Sequence, residues 1–203
     1  MTRQRMIVGI TGATGIAYGV RALQLLRAMD IETHLVMSRA GEMTREHETD
    51  LSRQQLHALA DVVYPIADVG AAISSGSFAT LGMLVAPCSV RTLAEIASGV
   101  TTTLLTRAAD VVLKERRKLV LLVRETPLHL GHLRNMVAVT EFGAVIMPPV
   151  PAMYTRPRSI DDLIEHSVGR ALDAFGLSAP NLPRWGEDIS MHSHTYKPES
   201  ELQ

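Results

Sequence analysis

The sequence predicts an α/β fold: a parallel sheet with helices on both faces. Two observations carry this. Short apolar runs alternate with stretches of helical periodicity along most of the chain. The runs are near-continuous, as in MIVGI at 6–10 and LVLLV at 119–123, which is the pattern of strands buried on both faces.

Taken in order, residues 6–10 form a first strand. The turn 11–15 (TGATG) leads into a helix over 16–29, with Val20, Leu23 and Leu26 at helical spacing. Residues 33–37 (THLVM) form a second strand, and Ser38 caps a helix over 39–47. A short helix over 51–60 and a minor strand over 62–64 follow, then a polar loop at 74–77 (SSGS). Residues 82–86 form a strand ending in Pro87-Cys88-Ser89. Helical patterns run over 92–97 and 104–115, and the strand 119–123 comes next. A helix over 130–139 and a strand over 144–147 lead to Pro148-Pro149-Val150-Pro151, which forces an extended exit. Ser159 caps a last helix reaching Phe175. The reading is one domain over 1–186 and a polar tail over 187–203 that lacks periodicity.

Composition narrows the function classes. The chain has 203 residues, 46% hydrophobic and 20% charged, as in an ordinary globular protein. A net charge of −1 and 4% aromatics speak against a nucleic-acid or acidic-lipid partner. The single cysteine, Cys88, excludes an internal disulfide and implies no oxidising compartment. No apolar run approaches the roughly 20 residues of a membrane span, and the short first strand is no signal sequence. A cytoplasmic enzyme-like domain is expected.

Arg124 and Glu125 sit side by side where a buried strand ends. Open α/β sheets bind ligands outside the carboxyl ends of their strands, so this pair is either a solvated strand end or working chemistry. The turn Gly12-Ala13-Thr14-Gly15 opens the first helix, whose free amides suit a phosphate or serve a plain tight turn. It matches neither G-x-G-x-x-G nor a P-loop. Ser38 and the segment Ser89-Val90-Arg91-Thr92 end neighbouring strands, either as helix caps or as metal-free phosphate ligands. Cys88 reads as a buried structural thiol. Arg107, Asp110 and Lys114 share one helical stripe, either a surface ion-pair ladder or a cationic stripe for a phosphate. Asp161-Asp162 looks like a metal–diphosphate motif, but the acids fall in the first turn after Ser159 and complement the helix dipole. Arg170 flanks the apolar stripe of that helix. His192 and His194 alone make no metal site.

Together these segments resemble the flavin prenyltransferases of the UbiX type, with a narrower likeness to the B component of the phenolic (hydroxyarylic) acid decarboxylases. The likeness rests on GITGATG at 9–15, HET at 47–49, ISSGSF at 73–78, APCS at 86–89, RAADVVLKE at 107–115, the stretch 119–128, HLRNM at 132–136 and 148–157, and it spans about residues 6–185. It implies a Rossmann-like, flavodoxin-like three-layer domain binding FMN and a dimethylallyl phosphate. The implied reaction moves the prenyl group from that phosphate onto N5 of reduced FMN and closes a ring at C6, without a metal. The prenylated FMN then serves a partner decarboxylase of the UbiD type. The resemblance also implies a homo-oligomer, a dodecamer with sites built across subunits.

By the same likeness, Thr14, Glu48, Glu125 and Lys114 take catalytic positions. Gly12, Ala13, Thr14, Ser38, Ser89, Val90, Arg91, Thr92 and Arg124 take flavin-binding ones. Arg107, Lys114 and Arg124 surround the phosphate, and Tyr154 and Arg170 reach it from a neighbouring subunit. Glu125 is the first choice for a proton relay, with the released phosphate as rival base. Chemistry agrees, because an allyl phosphate ionises only if the leaving charge is neutralised and water is kept out. Two rival readings are an FMN-binding accessory subunit without turnover and a direct phenolic acid decarboxylase.

Overall fold

The computed structural model describes residues 3–180 and 182–185. Six parallel strands form one sheet in the order β3-β2-β1-β4-β5-β6. They are β1 (Arg5–Ile10), β2 (Glu32–Met37), β3 (Val62–Tyr64), β4 (Gly82–Cys88), β5 (Lys118–Val123) and β6 (Val145–Ile146). This is the Rossmann order; without the three-residue edge strand β3, the remaining five follow the flavodoxin order. The direction of winding reverses between β1 and β4, which opens a crevice there at the carboxyl ends of the strands.

Alternation along each strand sends side chains to two cores. Met6, Val8 and Ile10 pack with α1 (Ile16–Ala28), α3 (Arg53–His57) and α7 (Ile160–Asp173). Ile7, Val36, Met83, Val85, Leu119 and Leu121 pack with α4 (Val90–Ala97), α5 (Leu104–Lys114) and Val139 of α6 (Leu130–Glu141). α2 (Arg39–Glu48) starts at the exit of β2 and leans on α1. Most helix starts are capped by the polar residue before them, as the sequence reading expects at Ser38, Ser89 and Ser159. Ser38, Ser52, Ser89, Thr103 and Ser159 each accept from an amide of the first turn. Asp162 completes the box on α7.

The departures from sequence are local. α3 covers five residues rather than 51–60, because the Ser52–Gln55 capping box fixes its start. β6 pairs over two residues only, since the prolines that follow offer no amide to a ladder. α4 starts at Val90, directly after its Ser89 cap. α6 differs in character: Val139 is its one buried residue, while Leu130, Leu133 and Val137 are 59%, 45% and 58% exposed. Its apolar stripe faces away from its own sheet. The polar tail, with His192 and His194, lies outside the described residues.

Candidate active site

The loops leaving β1, β2, β4 and β5 are tied into one platform. The buried Thr11 hydroxyl donates to the Pro87 carbonyl at 2.8 Å and accepts from the Ser89 amide at 2.8 Å. The Ser38 amide donates to the Ile10 carbonyl at 2.9 Å, and the Arg124 amide to the Cys88 carbonyl at 3.1 Å. Each of these strand exits therefore holds a fixed place around the crevice.

On the side of α4 and α5 this platform opens into a cavity of about 290 Å3. Gly12, Ser38, Ser89, Arg91 and Thr92 line it, together with Ile66, Thr103, Leu105 and Thr106. Gly12 is required by close approach, because a Cβ there would stand 2.3 Å from that of Ala40 on α2. Ser89 caps α4, its Oγ accepting from the Thr92 amide at 3.2 Å and donating to the Thr92 hydroxyl at 3.2 Å. The first amides of α4 remain as anion donors. Arg91 is 83% exposed and pairs with Glu95 at 2.9 Å, so its guanidinium stands at the mouth. Backbone donors, hydroxyls and the apolar Ile66 and Leu105 give a seat for a phosphate and a wall for a flat ring, a fit to FMN. Ile66 and Thr106 went unread in the sequence; the T-x-x-T spacing of Thr103 and Thr106, a capping box, is the one signal that could have flagged Thr106.

The start of α1 is arranged differently. Gly15, at φ 102°, brings no side-chain cap. Glu48, from the last turn of α2, fills the place: one carboxylate oxygen accepts from the Gly15 and Ile16 amides at 2.8 and 2.9 Å. Of the two readings of this turn, a phosphate seat or a plain tight turn, the Gly15 and Ile16 amides agree with the second, since the chain supplies its own anion to them. Burial pushes the Glu48 carboxyl up, but the Thr14 hydroxyl, the two amides and Arg124 outweigh it and hold it below the usual range. The carboxylate thus stabilises the fold above the unfolded glutamate pKa, and that contribution fades as pH falls through the depressed folded value. Glu48→Gln is expected to lower the melting temperature near neutrality. The difference from wild type should shrink on acidification, a gap independent of pH contradicting the role.

The Arg124 charge is felt by both Glu48 and Tyr18, whose hydroxyl is pushed up by burial and drawn down by that guanidinium. Thr14 and Glu48 are thus joined at the strand exits within the field of Arg124. Glu125 follows on the same loop, exposed, one oxygen accepting from the Thr126 amide at 3.0 Å. Ala13 and Val90 are half-buried beside their loops. Cys88 is buried and its thiol pushed up to about 12, the behaviour of a structural residue.

None of the remaining residues lines this cavity. Arg107 pairs with Asp110 at 2.8 Å, as a ladder requires, but Lys114 turns to Glu115 instead of Asp110. Lys114 ends α5, about 12 Å along the axis beyond Thr106 at 1.5 Å per residue, and so lies towards the opposite edge of the sheet. Tyr154 bonds to His166 at 3.1 Å and Arg170 pairs with Asp173.

Comparison with known proteins decides the family. The Flavoprotein family model matches residues 1–172. The flavin prenyltransferase UbiX of Neisseria meningitidis is 60% identical over 182 residues, 90% of this chain and 96% of its own length. That of Escherichia coli K12 is 60% identical over 185 residues, 90% of this chain and 98% of its own. The chain belongs to the UbiX flavin prenyltransferase family. A solved UbiX in complex with FMN and dimethylallyl pyrophosphate superposes with a TM-score of 0.89 at 54% identity, covering 91% of this chain and 98% of the other. A dodecameric FMN-dependent UbiX-like decarboxylase from E. coli O157:H7 gives 0.88 at 52%, covering 90% and 99%. The similarity places the chain in the UbiX family at large; the narrower likeness to phenolic acid decarboxylase components remains a likeness.

Proposed function

We propose that the protein transfers a dimethylallyl group from dimethylallyl phosphate to reduced FMN, bonding it at N5 and closing a ring at C6. The observation that carries this reading is the joint edge. An amide-and-hydroxyl phosphate seat at α4 lies beside the Thr14–Glu48–Arg124 group, with Glu125 on the adjoining loop. In the overall reaction the donor's C–O bond breaks and phosphate leaves with the bonding pair; the flavin loses its N5 and C6 protons while the prenyl double bond gains one as the ring closes, so that the flavin gains one C5H8 unit in all. Ser38, Ser89, Thr92 and the α4 amides hold the flavin phosphate, with Gly12 and Ala13 letting the ring approach the backbone. Arg124, Arg107 and Lys114 neutralise the leaving phosphate. Glu125 relays the proton from C6, and Thr14, held by Glu48, fixes the edge facing the ring.

A single chain leaves this set incomplete, and three features support a homo-oligomer, a dodecamer as described for the E. coli neighbour. Lys114 lies towards the far edge of its own sheet, Tyr154 and Arg170 make their contacts elsewhere, and α6 presents an uncovered apolar stripe. A neighbouring copy would then supply Lys114, Tyr154 and Arg170 and exclude water from the reacting allyl group. Among the described residues no helix is long and apolar enough to cross a membrane. We place the protein in the cytoplasm, handing prenylated FMN to a UbiD-type decarboxylase. Flavin extracted from the completed reaction should activate such a decarboxylase purified without cofactor. Carbon dioxide release from a phenolic acid by this chain alone would instead make it the decarboxylase.

A further inference from the structure

His166 lies on α7, 8% exposed, and no motif in the sequence points to it. Its Nε2 stands 3.1 Å from the Tyr154 hydroxyl, and the two rings meet edge to face at 5.6 Å. Trp185 packs on the same tyrosine ring at 5.3 Å. The tyrosine, in a 3-10 turn after the proline-rich exit, is thus held by an aromatic contact from the helix and another from the chain's later segment. Burial, and then the Arg170 charge, draw His166 below its ordinary range against the opposing pull of Asp173, so the imidazole is neutral near neutrality.

A phenol has one proton to donate. If Nε2 accepts that proton, the hydroxyl offers an anion only lone pairs. If Nε2–H donates to the phenolic oxygen, the hydroxyl proton is free to point at a phosphate. We propose that His166 is a positioning residue: its Nε2–H donates to Tyr154, turning the phenolic proton towards the prenyl phosphate. This rests on the reading of Tyr154 as a donor-phosphate contact. The same helix sets the second such contact, because Asp173 holds both Arg170 and Arg184. One rigid element thereby orients two of the groups that a subunit would offer its neighbour, Tyr154 and Arg170.

The test measures equilibrium binding of dimethylallyl phosphate to the assembled protein loaded with oxidised FMN, alongside turnover with reduced FMN. His166→Phe keeps the ring and loses the donor. It should weaken donor binding about tenfold and raise KM in step, with kcat, FMN affinity and oligomer size nearly unchanged. His166→Gln, whose amide can donate, should restore most of the loss. Tyr154→Phe should match His166→Phe, and the double variant should be no worse than either. Should the Phe variant not assemble, His166→Leu, which also loses the donor, replaces it. Wild-type binding in His166→Phe, losses that multiply in the double variant, or no rescue by Gln would overturn the proposal. A wild-type protein that neither binds the donor nor prenylates FMN would overturn the functional reading as well; an active wild type with additive losses sinks this inference alone.

Discussion

Glu125→Gln should keep FMN bound at wild-type affinity and slow prenyl transfer by at least about a hundredfold, the usual scale of a lost general acid–base. The substitution keeps shape and the acceptor oxygen for the Thr126 amide, so the loop has no structural reason to move. What it removes is the capacity to take a proton when the ring closes at C6. The side chain is exposed in a single chain, where water would compete for that proton. Its value as a relay therefore depends on the covering subunit. Stopped single-turnover reactions followed by flavin mass measure this directly. Unchanged turnover would exclude the relay and leave the departing phosphate as the base.

Lys114→Ala should cost a comparable factor, since one charge-assisted contact to a leaving phosphate in a closed site is worth a hundredfold or more on the order of magnitude seen for transition-state donors. FMN should still bind, because Lys114 does not line the cavity proposed to hold it. Combining the two inactive variants in one assembly separates cis from trans. Co-expressed Glu125→Gln and Lys114→Ala chains should recover part of the activity, because some sites then draw both intact groups from different chains. If both residues served the same chain's site, every site would carry one lesion and no activity would return.

Much of this was legible because it is local. The strand exits and the caps at Ser38, Ser89 and Ser159 follow from residue type and spacing within a few positions. The two-core parallel sheet follows from near-continuous apolar runs. What escaped depends on distance along the chain. Glu48 reaches back 33 residues to cap α1, so its first task is structural, and no spacing rule announces it. Lys114 shares a helical stripe with Arg107, yet helix length carries it towards the other edge of the sheet, a consequence of topology rather than pattern. Ile66 and Thr106 line the cavity only because α5 folds back beside β4. His166 lies 12 residues from the tyrosine it holds, joined across a proline-containing turn.

Purified protein, incubated anaerobically with reduced FMN and dimethylallyl phosphate, should yield a flavin heavier by one C5H8 unit, with release of phosphate. Flavin of unchanged mass, from protein shown to bind FMN and to be correctly assembled, would contradict the account.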